Sequence, residues 1–469
     1  MLARHTKIVA TLGPATDRPG VLDQLIAAGV DCARLNCSHG GPEDLRRRAE
    51  DVRAAAERAG RPVALMFDLQ GPKLRLSSET EQRVVEVGDP VVFAGAEAAP
   101  EPGRVGVDFD GFAQLVTERS EIVIGDGVPR MVVDRVQDGV VATHVVARGP
   151  LSPRKGITVT YARPTLPAIT EKDLGDLELA VEMGADFVAL SFVRSGADME
   201  ALRELVVRHG SRARTIAKVE KVEGYERLDE VIAASDGIMV ARGDYGVEAG
   251  VARVPLMQKD TIVRATQAGK LVITATHMLE SMVSSAEPTR AEAADVANAV
   301  IDGTSAVMLS AETSVGAHPV EAVLAMAQIA QAAEEAPLIR GAAHISHPSG
   351  PDAAVMHAAI NLADDVDACA LIVPTSTGGT VRACAKYRHR RPIIALAHDP
   401  TVANQLALEW AVRPTTMAVA ESVDELIDAA LERARDYAGL EPGSRAVLTA
   451  GRRTGTPGAT NLIMLREIP

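Results

Sequence analysis

The sequence predicts an α/β protein: a parallel (β/α)8 TIM barrel with an inserted all-β lid domain and a C-terminal α/β domain with an open sheet. Three observations lead to this fold class. Short apolar runs alternate with helical patterns eight times, the number that closes a parallel barrel. The alternation is interrupted at 73–164 by a Val- and Gly-rich sequence with short runs in which apolar and polar residues alternate. Beyond about residue 337 comes a further α/β stretch that is too short for a second barrel.

The barrel strands are predicted from the apolar runs, and the helices from apolar residues spaced three and four apart. The strands are 7–13, 30–36, 63–68, 186–192, 215–219, 237–241, 271–275 and 306–309. The helices are 21–28, 42–59, 171–183, 197–208, 225–234, 256–268, 290–301 and 319–333. The lid therefore interrupts the chain between the third strand and its helix.

Turn and linker signals separate the remaining parts. Within the lid, the Asp138-Gly139 pair suits a tight hairpin turn. A segment after 337 that contains several Gly and Pro residues is typical of a linker. We expect a barrel from 1–72 and 165–337, a lid at 73–164 and a C-terminal domain at 338–469. The C-terminal elements begin with helix 352–364, strand 370–374, helix 380–387, strand 392–397 and helix 401–410, followed by a strand, a helix and two strands.

Composition excludes several classes of partner. A net charge of −14 argues against nucleic acid or an anionic membrane as the main partner. No run approaches about 18 uncharged apolar residues, so no membrane span is expected. The start of the sequence lacks a hydrophobic signal core, and the four cysteines form no CxxC pair. The cysteines are Cys32, Cys37, Cys369 and Cys384. These features predict a cytoplasmic protein.

The densest group of charged residues lies near the middle of the chain. Lys218 and Glu220 are two positions apart near the end of an apolar run, so a strand there places both side chains on one face. The next apolar run leads into Asp244, a second carboxylate at a neighbouring strand end. Two carboxylates beside a lysine are typical of a divalent-metal and phosphate site. An ordinary ion pair with an unrelated loop aspartate would have the same spacing, which leaves both interpretations open.

Other predicted strands also end in polar residues. In a barrel of this type the active site lies at the carboxyl ends of the strands. The polar residues at these ends are Asn36, Ser38, Asp68, Lys218, Glu220, Asp244, Thr276, Ser310 and Glu312. Their clustering indicates an active site more strongly than any single motif does.

Several longer stretches resemble the pyruvate kinase family, in particular its bacterial members. They are KIVATLGPA (7–15), ARLNCSHG (33–40), KVEKVEG (218–224), SDGIMVARGD (235–244), ATHMLESM (275–282), PTRAEAADVANAVIDG (288–303) and MLSAET (308–313). The family has a barrel, a β lid after the third strand and a C-terminal effector-binding domain, in agreement with the predicted elements. The resemblance implies transfer of the phosphoryl group of phosphoenolpyruvate to ADP, which gives ATP and pyruvate.

The resemblance also implies roles at the catalytic centre. Glu220 and Asp244 match the family's ligands for Mg²⁺, or Mn²⁺ in its place. Lys218 matches the residue on the migrating phosphoryl group, and Arg34 a residue that contacts the phosphate. Thr276 matches the threonine near the carbon that is protonated. The resulting catalytic set is Lys218, Arg34 and Thr276, and the substrate-binding set is Arg34, Lys218, Gly243, Asp244 and Thr276.

Further matches concern the substrate carboxylate and the nucleotide. Backbone N–H groups of Gly243 and its neighbour would bind the carboxylate. Asn36 and His39 lie where the family approaches ADP, Arg75 matches a phosphate-contacting arginine, and Lys155 matches the lid lysine. Thr276 and Asn36 could instead satisfy backbone groups at strand ends, and Arg75 could form a hinge ion pair.

The sequence departs from the family in the run after the third strand. Most members carry Thr-Lys-Gly-Pro-Glu there and need potassium, whereas this chain has LQGPK at 69–73. Leu69 removes a hydroxyl ligand, and Lys73 supplies a fixed ammonium, a pattern that resembles the potassium-independent branch. The vestigial cation site would comprise Asn36, Ser38 and Asp68, with Lys73 as the substitute cation. Alternatively, Lys73 points to solvent and a weakened potassium site persists.

Two other departures lie beside the expected site. His277 stands where the family usually has Gln, and Tyr245 where it usually has Leu. The lid hinge at 158–165 is also less regular than in the family. Since no charged group is lost, we expect altered lid closure and KM with the chemistry retained.

The C-terminal domain resembles the family's effector domain. Its expected phosphate-binding site, the cradle, lies after strand 370–374, where the next helix begins. The cradle residues are Thr375, Ser376, Thr377, Gly378, Gly379 and Thr380. A companion loop is expected at 451–461. The resemblance implies activation by a phosphorylated metabolite, a sugar phosphate or AMP, and assembly as a homotetramer.

Two other functions fit part of the pattern. A Mg²⁺-dependent 2-oxo-acid aldolase also uses a barrel, paired carboxylates and a pyruvate enolate, but it does not account for the lid, Lys218 or the phosphate-site arginines. A catalytically dead effector-binding paralogue would not need Lys218, Glu220, Asp244 and Arg34 together. Formation of pyruvate that depends on ADP distinguishes the three.

Overall fold

Eight parallel strands close into a barrel at the centre of the molecule. The structure is a computed structural model, and it describes residues 4–96, 103–125, 127–160, 167–335, 351–451 and 460–469. The strands are β1 (Lys7–Thr11), β2 (Cys32–Asn36), β3 (Ala64–Asp68), β4 (Phe187–Leu190), β5 (Arg214–Val219), β6 (Gly237–Ala241), β7 (Leu271–Ala275) and β8 (Ala306–Leu309). Each strand pairs in parallel with its neighbours in sequence order, and β1 pairs with β8. The predicted fold class is confirmed.

Helices cover the outside of the barrel because each carries an apolar stripe that must be buried. The larger ones are Val21–Ala28, Pro42–Ala59, Glu171–Glu182, Gly196–Arg208, Val254–Gln267, Arg290–Ile301 and Pro319–Glu334. Short elements that the sequence analysis did not predict follow β6, β7 and β8. They are the helix Arg242–Ala249, the 3-10 helix Glu280–Val283 and the helix Ala311–Ser314.

One predicted barrel helix is wrong. Residues 225–234 form no single helix, because the chain makes two helices, Val222–Glu226 and Leu228–Ala234. Arg227, between them, leaves the helical region with φ −110° and ψ 27°. The first helix begins earlier than predicted, at Val222. Its Gly224 lies against the backbone of Val193, where an added Cβ would be 2.3 Å from the carbonyl oxygen.

The barrel has two buried apolar layers. The interior layer consists of inward side chains such as Val9, Met66, Phe187 and Met239. The outer layer lies between strands and helices and contains Tyr245 and Leu69, both fully buried. Successive strand residues alternate between the two layers, so the strands are apolar throughout.

The inserted lid is a seven-stranded sheet with a separate two-stranded ribbon. In sheet order the strands are Leu74–Arg75, Gly156–Thr160, Glu121–Ile124, Arg130–Gln137, Val140–Ala147, Pro90–Ala94 and Arg104–Gly106, and the ribbon is Arg83–Val85 with Gly149–Leu151. The predicted hairpin turn is present, since Asp138 and Gly139 both have positive φ, 52° and 77°. The lid also contains a short helix, Phe112–Leu115, so it is not purely β.

The C-terminal domain is an open five-stranded sheet with helices on both faces. In sheet order its strands are Val412–Thr416, Ile393–Ala397, Ala370–Thr375, Arg445–Gly451 and Thr460–Glu467, the last antiparallel to its neighbour. Its helices are Pro351–Asp365, Gly379–Ala385, Pro400–Leu406 and Val423–Ala438. The predicted boundaries near 164 and 337 fall at residues 161–166 and 336–350, outside the described residues, and the domain limits stay predictions.

The C-terminal domain docks on the barrel by inserting one apolar side chain. Leu408, fully buried, belongs to the cluster of inward barrel residues. Beside it, Lys7 Nζ donates to the Val412 carbonyl at 2.6 Å, and Arg388 donates to the Gly303 carbonyl at 2.8 Å. Lys7 starts β1 and Gly303 precedes β8, so the docking lies at the amino ends of the barrel strands.

Within the described ranges, no helix has the length and apolar character needed to span a membrane.

Replacing Leu408 with Ala should lower the free energy of unfolding by about 2–5 kcal/mol, the cost of a cavity in a packed core. Urea unfolding can be followed by the fluorescence of Trp410, the one tryptophan of the chain, which is buried at the same interface. Leu174→Ala is the matched control because that side chain is 39% exposed, and we expect it to cost less than about 1 kcal/mol. Equal effects of the two substitutions would contradict the role of Leu408.

Candidate active site

A cavity of about 420 Å³ opens at the carboxyl ends of the barrel strands, beneath the lid. It is lined by nearly all of the barrel and lid residues predicted from the sequence: Arg34, Asn36, Ser38, His39, Lys73, Arg75, Lys155, Lys218, Glu220, Gly243, Asp244 and Thr276. Asp68 lies just below, with 1% of its side chain exposed. Ser310 and Glu312 do not line the cavity. The Glu312 carboxylate instead accepts hydrogen bonds from the N–H groups of Ser310 and Leu279.

Asp68 is the centre of a buried ion network. It ends β3, and its Oδ2 accepts a hydrogen bond at 2.7 Å from Nε of Arg34, which lies on β2. Nη2 of the same arginine lies 2.7 Å from this oxygen in an ion pair. Its Oδ1 is 3.2 Å from Lys218 Nζ on β5. Burial alone would raise the pKa of the Asp68 carboxyl, but the charges of Lys218 and Arg34 outweigh it and lower the pKa. Three strands thus bring one carboxylate and two cations together.

Lys218 is held by polar groups beside the cavity. Its ammonium donates to Ser191 Oγ at 2.6 Å and lies 3.7 Å from Glu220 Oε2. Burial by itself would lower the pKa of Lys218, but the charges of Asp68 and Glu220 raise it. Lys218 is therefore a fixed cation at neutral pH.

Two residues of the site were not identified from the sequence. Ser191 follows β4, accepts from Lys218 and donates to the Leu69 carbonyl at 2.7 Å; its position at a strand end was the available signal. Arg242 begins the helix after β6 and forms two hydrogen bonds to Asp295, 2.8 and 2.6 Å long. Nothing in the local sequence pattern indicated that pairing.

Arg242 and Thr276 organise the loop after β7. Arg242 also donates to the Thr276 carbonyl at 2.6 Å, while Thr276 and His277 adopt positive φ values of 67° and 53°. Such backbone costs energy and persists where surrounding contacts determine it. Thr276 Oγ1 accepts the Gly243 N–H group at 2.9 Å. The N–H group predicted to bind a substrate carboxylate is therefore paired with Thr276.

Glu220 and Asp244 fit a divalent cation. Glu220 is 1% exposed and accepts the Phe192 N–H group at 2.8 Å. Burial, together with the smaller effect of the negative charge of Asp244, raises the pKa of Glu220 to about 7 against the opposing charge of Lys218. A bound cation would relieve both effects. Within the described part of the chain no cluster of three or more His, Cys, Asp or Glu side chains is arranged for a metal, so the protein would supply two carboxylates and leave other positions to substrate and water.

Lys73 forms an ion pair with Asp244. It lines the cavity with Asn36 and Ser38, but its ammonium lies 3.2 Å from Asp244 Oδ1, whereas Asp68 is paired with Arg34 and Lys218. The Lys73 side chain is 29% exposed, so it does not simply point to solvent.

The opposite side of the cavity is rich in positive charge. Arg75 ends the lid strand Leu74–Arg75 and Lys155 directly precedes the lid strand Gly156–Thr160. Arg75 donates to the Arg154 carbonyl at 3.2 Å. Partial burial lowers the pKa of His39, and the charges of Arg75, Arg34 and Lys73 lower it further. A concentration of cations around a polar cavity suits a polyanionic ligand.

The predicted effector cradle is described only in part. Gly378 has φ 79°, and its N–H group donates to Thr375 Oγ1 at 2.9 Å. Thr380 Oγ1 is 2.9 Å from Thr460 Oγ1, so the helix Gly379–Ala385 contacts the first residue of the strand Thr460–Glu467. Residues 452–459 of the companion loop lie outside the described residues.

A closed barrel with an inserted lid, a cavity of fixed cations and two adjacent carboxylates defines a barrel phosphotransferase. Comparison with family models gives the same result: residues 3–323 match the pyruvate kinase barrel domain and residues 353–465 the pyruvate kinase alpha/beta domain. The chain belongs to the pyruvate kinase family.

Curated relatives match along the whole chain. A pyruvate kinase of Geobacillus stearothermophilus is 40% identical over 100% of this chain and 81% of its own length. One of Mycobacterium tuberculosis (strain CDC 1551 / Oshkosh) is 40% identical over 100% of this chain and 99% of its own. Pyruvate kinase 2 of Synechocystis is 38% identical over 100% and 80%. The predicted pyruvate kinase function is confirmed, and the comparisons give no support to the aldolase alternative.

Replacing Asp68 with Asn should destabilise the protein by about 3–5 kcal/mol, because it leaves two buried cations without their common anion. The measurement is urea unfolding at fixed protein concentration. Asp17→Asn is the matched control, since Asp17 also pairs with two arginines, Arg47 at 3.0 Å and Arg48 at 2.7 Å, but is 24% exposed. We expect about 1 kcal/mol or less there. A cost at Asp68 no greater than at Asp17 would contradict the central position of Asp68.

Proposed function

We propose that the chain transfers the phosphoryl group of phosphoenolpyruvate to ADP in the cavity at the carboxyl ends of the strands, with Lys218 as the cation on the migrating group. The observation that carries this proposal is the charged ammonium of Lys218, whose side chain is 12% exposed and which is held by Asp68, Glu220 and Ser191. Phosphoryl transfer needs mainly positioning and neutralisation of charge, and a cation fixed before substrate arrives needs little reorganisation.

The arginines would bind the phosphate from two sides. Arg34 is oriented by Asp68 and by Thr11 Oγ1, to which it donates at 2.9 Å. Arg75 reaches the cavity from the lid. A planar guanidinium suits phosphate oxygens, and one arginine on the barrel with one on the lid would join the two domains around the ligand.

Glu220 and Asp244 would hold Mg²⁺, or Mn²⁺ in its place. When bound, such a cation neutralises the charge of phosphate and carboxylate oxygens. The chain's own part is to present two carboxylates of which Glu220 is fixed by the Phe192 N–H group. Thr276 would place its hydroxyl beside the reacting carbon. The Gly243 N–H group would bind the substrate carboxylate by exchanging its hydrogen bond to Thr276 Oγ1 for one to the ligand. The nucleotide would lie near Asn36, His39, Arg75 and Lys155.

Lys218→Met should lower kcat by about 10³ or more, the loss expected when one well-placed charge donor is removed from an enclosed site. The assay couples pyruvate formation to a second enzyme and is run with and without ADP. Lys172→Met is the control: that lysine also forms an ion pair, 2.6 Å from Asp176, but it does not line the cavity. The control should stay within about twofold of the parent. A kcat for Lys218→Met within tenfold of the parent would overturn the assignment.

Independence from potassium is also part of the proposal. Leu69 is fully buried in the outer layer and offers no side-chain oxygen to a cation near Asn36, Ser38 and Asp68. Lys73 lines the same cavity and can supply a positive charge to the phosphates.

The initial rate in a tetramethylammonium buffer should change by less than about twofold on addition of KCl at matched ionic strength, because a fixed ammonium supplies the charge. Lys73→Glu combined with Leu69→Thr should create a potassium requirement. Stimulation of the unmodified protein by tenfold or more would show that Lys73 does not replace potassium.

Regulation would involve the C-terminal domain. We propose that a phosphorylated metabolite, a sugar phosphate or AMP, binds at Thr375–Thr380 and that the protein is a homotetramer. The glycine and hydroxyl residues of this loop and its contact with Thr460 support the first point. A cytoplasmic location stays a prediction.

A further inference from the structure

Lys73 occupies a position where lid, barrel and proposed metal site meet. It lies between β3 and the first lid strand, Leu74–Arg75, at the point where the chain enters the lid. Its stem packs on the returning lid strand, since a Cβ added to Gly156 would lie 3.0 Å from Lys73 Cε. Its ammonium is 5.8 Å from the centre of the Phe192 ring.

The ion pair of Lys73 uses a carboxylate that a divalent cation would need. Lys73 Nζ is 3.2 Å from Asp244 Oδ1 and 3.5 Å from Oδ2, so both oxygens face the ammonium. The two side chains are 29% and 35% exposed, which leaves the pair accessible to exchange with an ion from solution. An ammonium and a metal ion cannot both occupy the same face of one carboxylate, because their charges repel.

We propose that Lys73 is an internal counter-ion of Asp244 which the divalent cation displaces, so that metal binding releases a contact between the entrance of the lid and the barrel. The inference rests on the proposed role of Asp244 as a metal ligand. Before metal arrives, Lys73 keeps the carboxylate compensated and oriented. After displacement, the ammonium is free for the anionic ligand in the same cavity. Lys73 is thus a positioning residue that lowers metal affinity in the absence of substrate.

The test measures Mn²⁺ binding to the substrate-free full chain in a potassium-free tetramethylammonium buffer, with free Mn²⁺ quantified by its electron paramagnetic resonance signal. Lys73→Met should bind Mn²⁺ about fivefold more tightly than the parent, a size typical of losing one partly exposed competing ion pair. Lys73→Gln should behave in the same way and serves if the first variant is poorly folded. Lys73→Arg, which keeps the charge, should restore the parent affinity.

Lys221→Met is a closely matched control. Lys221 also lies 5.8 Å from the Phe192 ring, and it pairs with Glu248 at 2.8 Å, with 21% of its side chain exposed. Removing it takes away a similar charge beside the site but leaves Asp244 untouched. Its Mn²⁺ affinity should stay within about twofold of the parent.

A second readout follows the lid directly. Hydrogen exchange of the hinge strands Leu74–Arg75 and Gly156–Thr160 should change when Mn²⁺ binds the parent, and Lys73→Met should already resemble the metal-bound parent before metal is added.

Asp244→Asn distinguishes the proposed metal ligand from the proposed counter-ion role of Lys73. If that variant binds Mn²⁺ as the parent does, the proposed metal ligand is wrong. If Asp244 is required but Lys73→Met matches the parent or Lys221→Met, the counter-ion role alone is overturned.

Discussion

The active site depends on one buried carboxylate placed between two buried cations. A site for a polyanion needs fixed positive charge, but a barrel interior is costly for unpaired charge. Asp68 resolves this conflict because it compensates Arg34 and Lys218 from below while their other faces stay open to the cavity. Serine and threonine hydroxyls at neighbouring strand ends, Ser191 and Thr11, satisfy further donors. The cations are therefore in place before any ligand binds.

The two additional domains act at opposite ends of the barrel. The lid contributes Arg75 and Lys155 to the cavity at the carboxyl ends. The C-terminal domain inserts Leu408 among the inward side chains, near the amino ends. Within one chain, an influence of the C-terminal domain on the cavity would pass through the packed barrel strands, whose close packing transmits small displacements. The lid, in contrast, contacts the site through its own side chains.

The departures from the family at 245 and 277 differ in their structural setting. Tyr245 is fully buried in the outer layer of the barrel, and its ring lies 6.5 Å from that of Tyr225. Its hydroxyl finds no hydrogen-bond partner among the described residues. His277 is exposed and has a positive φ, next to Thr276 in the loop that Arg242 supports. An effect of Tyr245 on the lid would be indirect, whereas His277 adjoins the cavity.

The sequence by itself determined the barrel, since apolar periodicity is a local property. Strand bounds such as Gly237–Ala241 and helix bounds such as Pro42–Ala59 agree with the prediction to the residue. Strand-end positions also predicted most of the polar side chains that line the cavity, but Ser310 and Glu312, from the same prediction, make local contacts instead. Only the tertiary structure decided their partners: Asp68 with Arg34 and Lys218, and Lys73 with Asp244. Ion pairs and core contacts such as that of Leu408 join residues far apart in the chain, and no local pattern specifies which of several nearby charges or cavities a side chain meets.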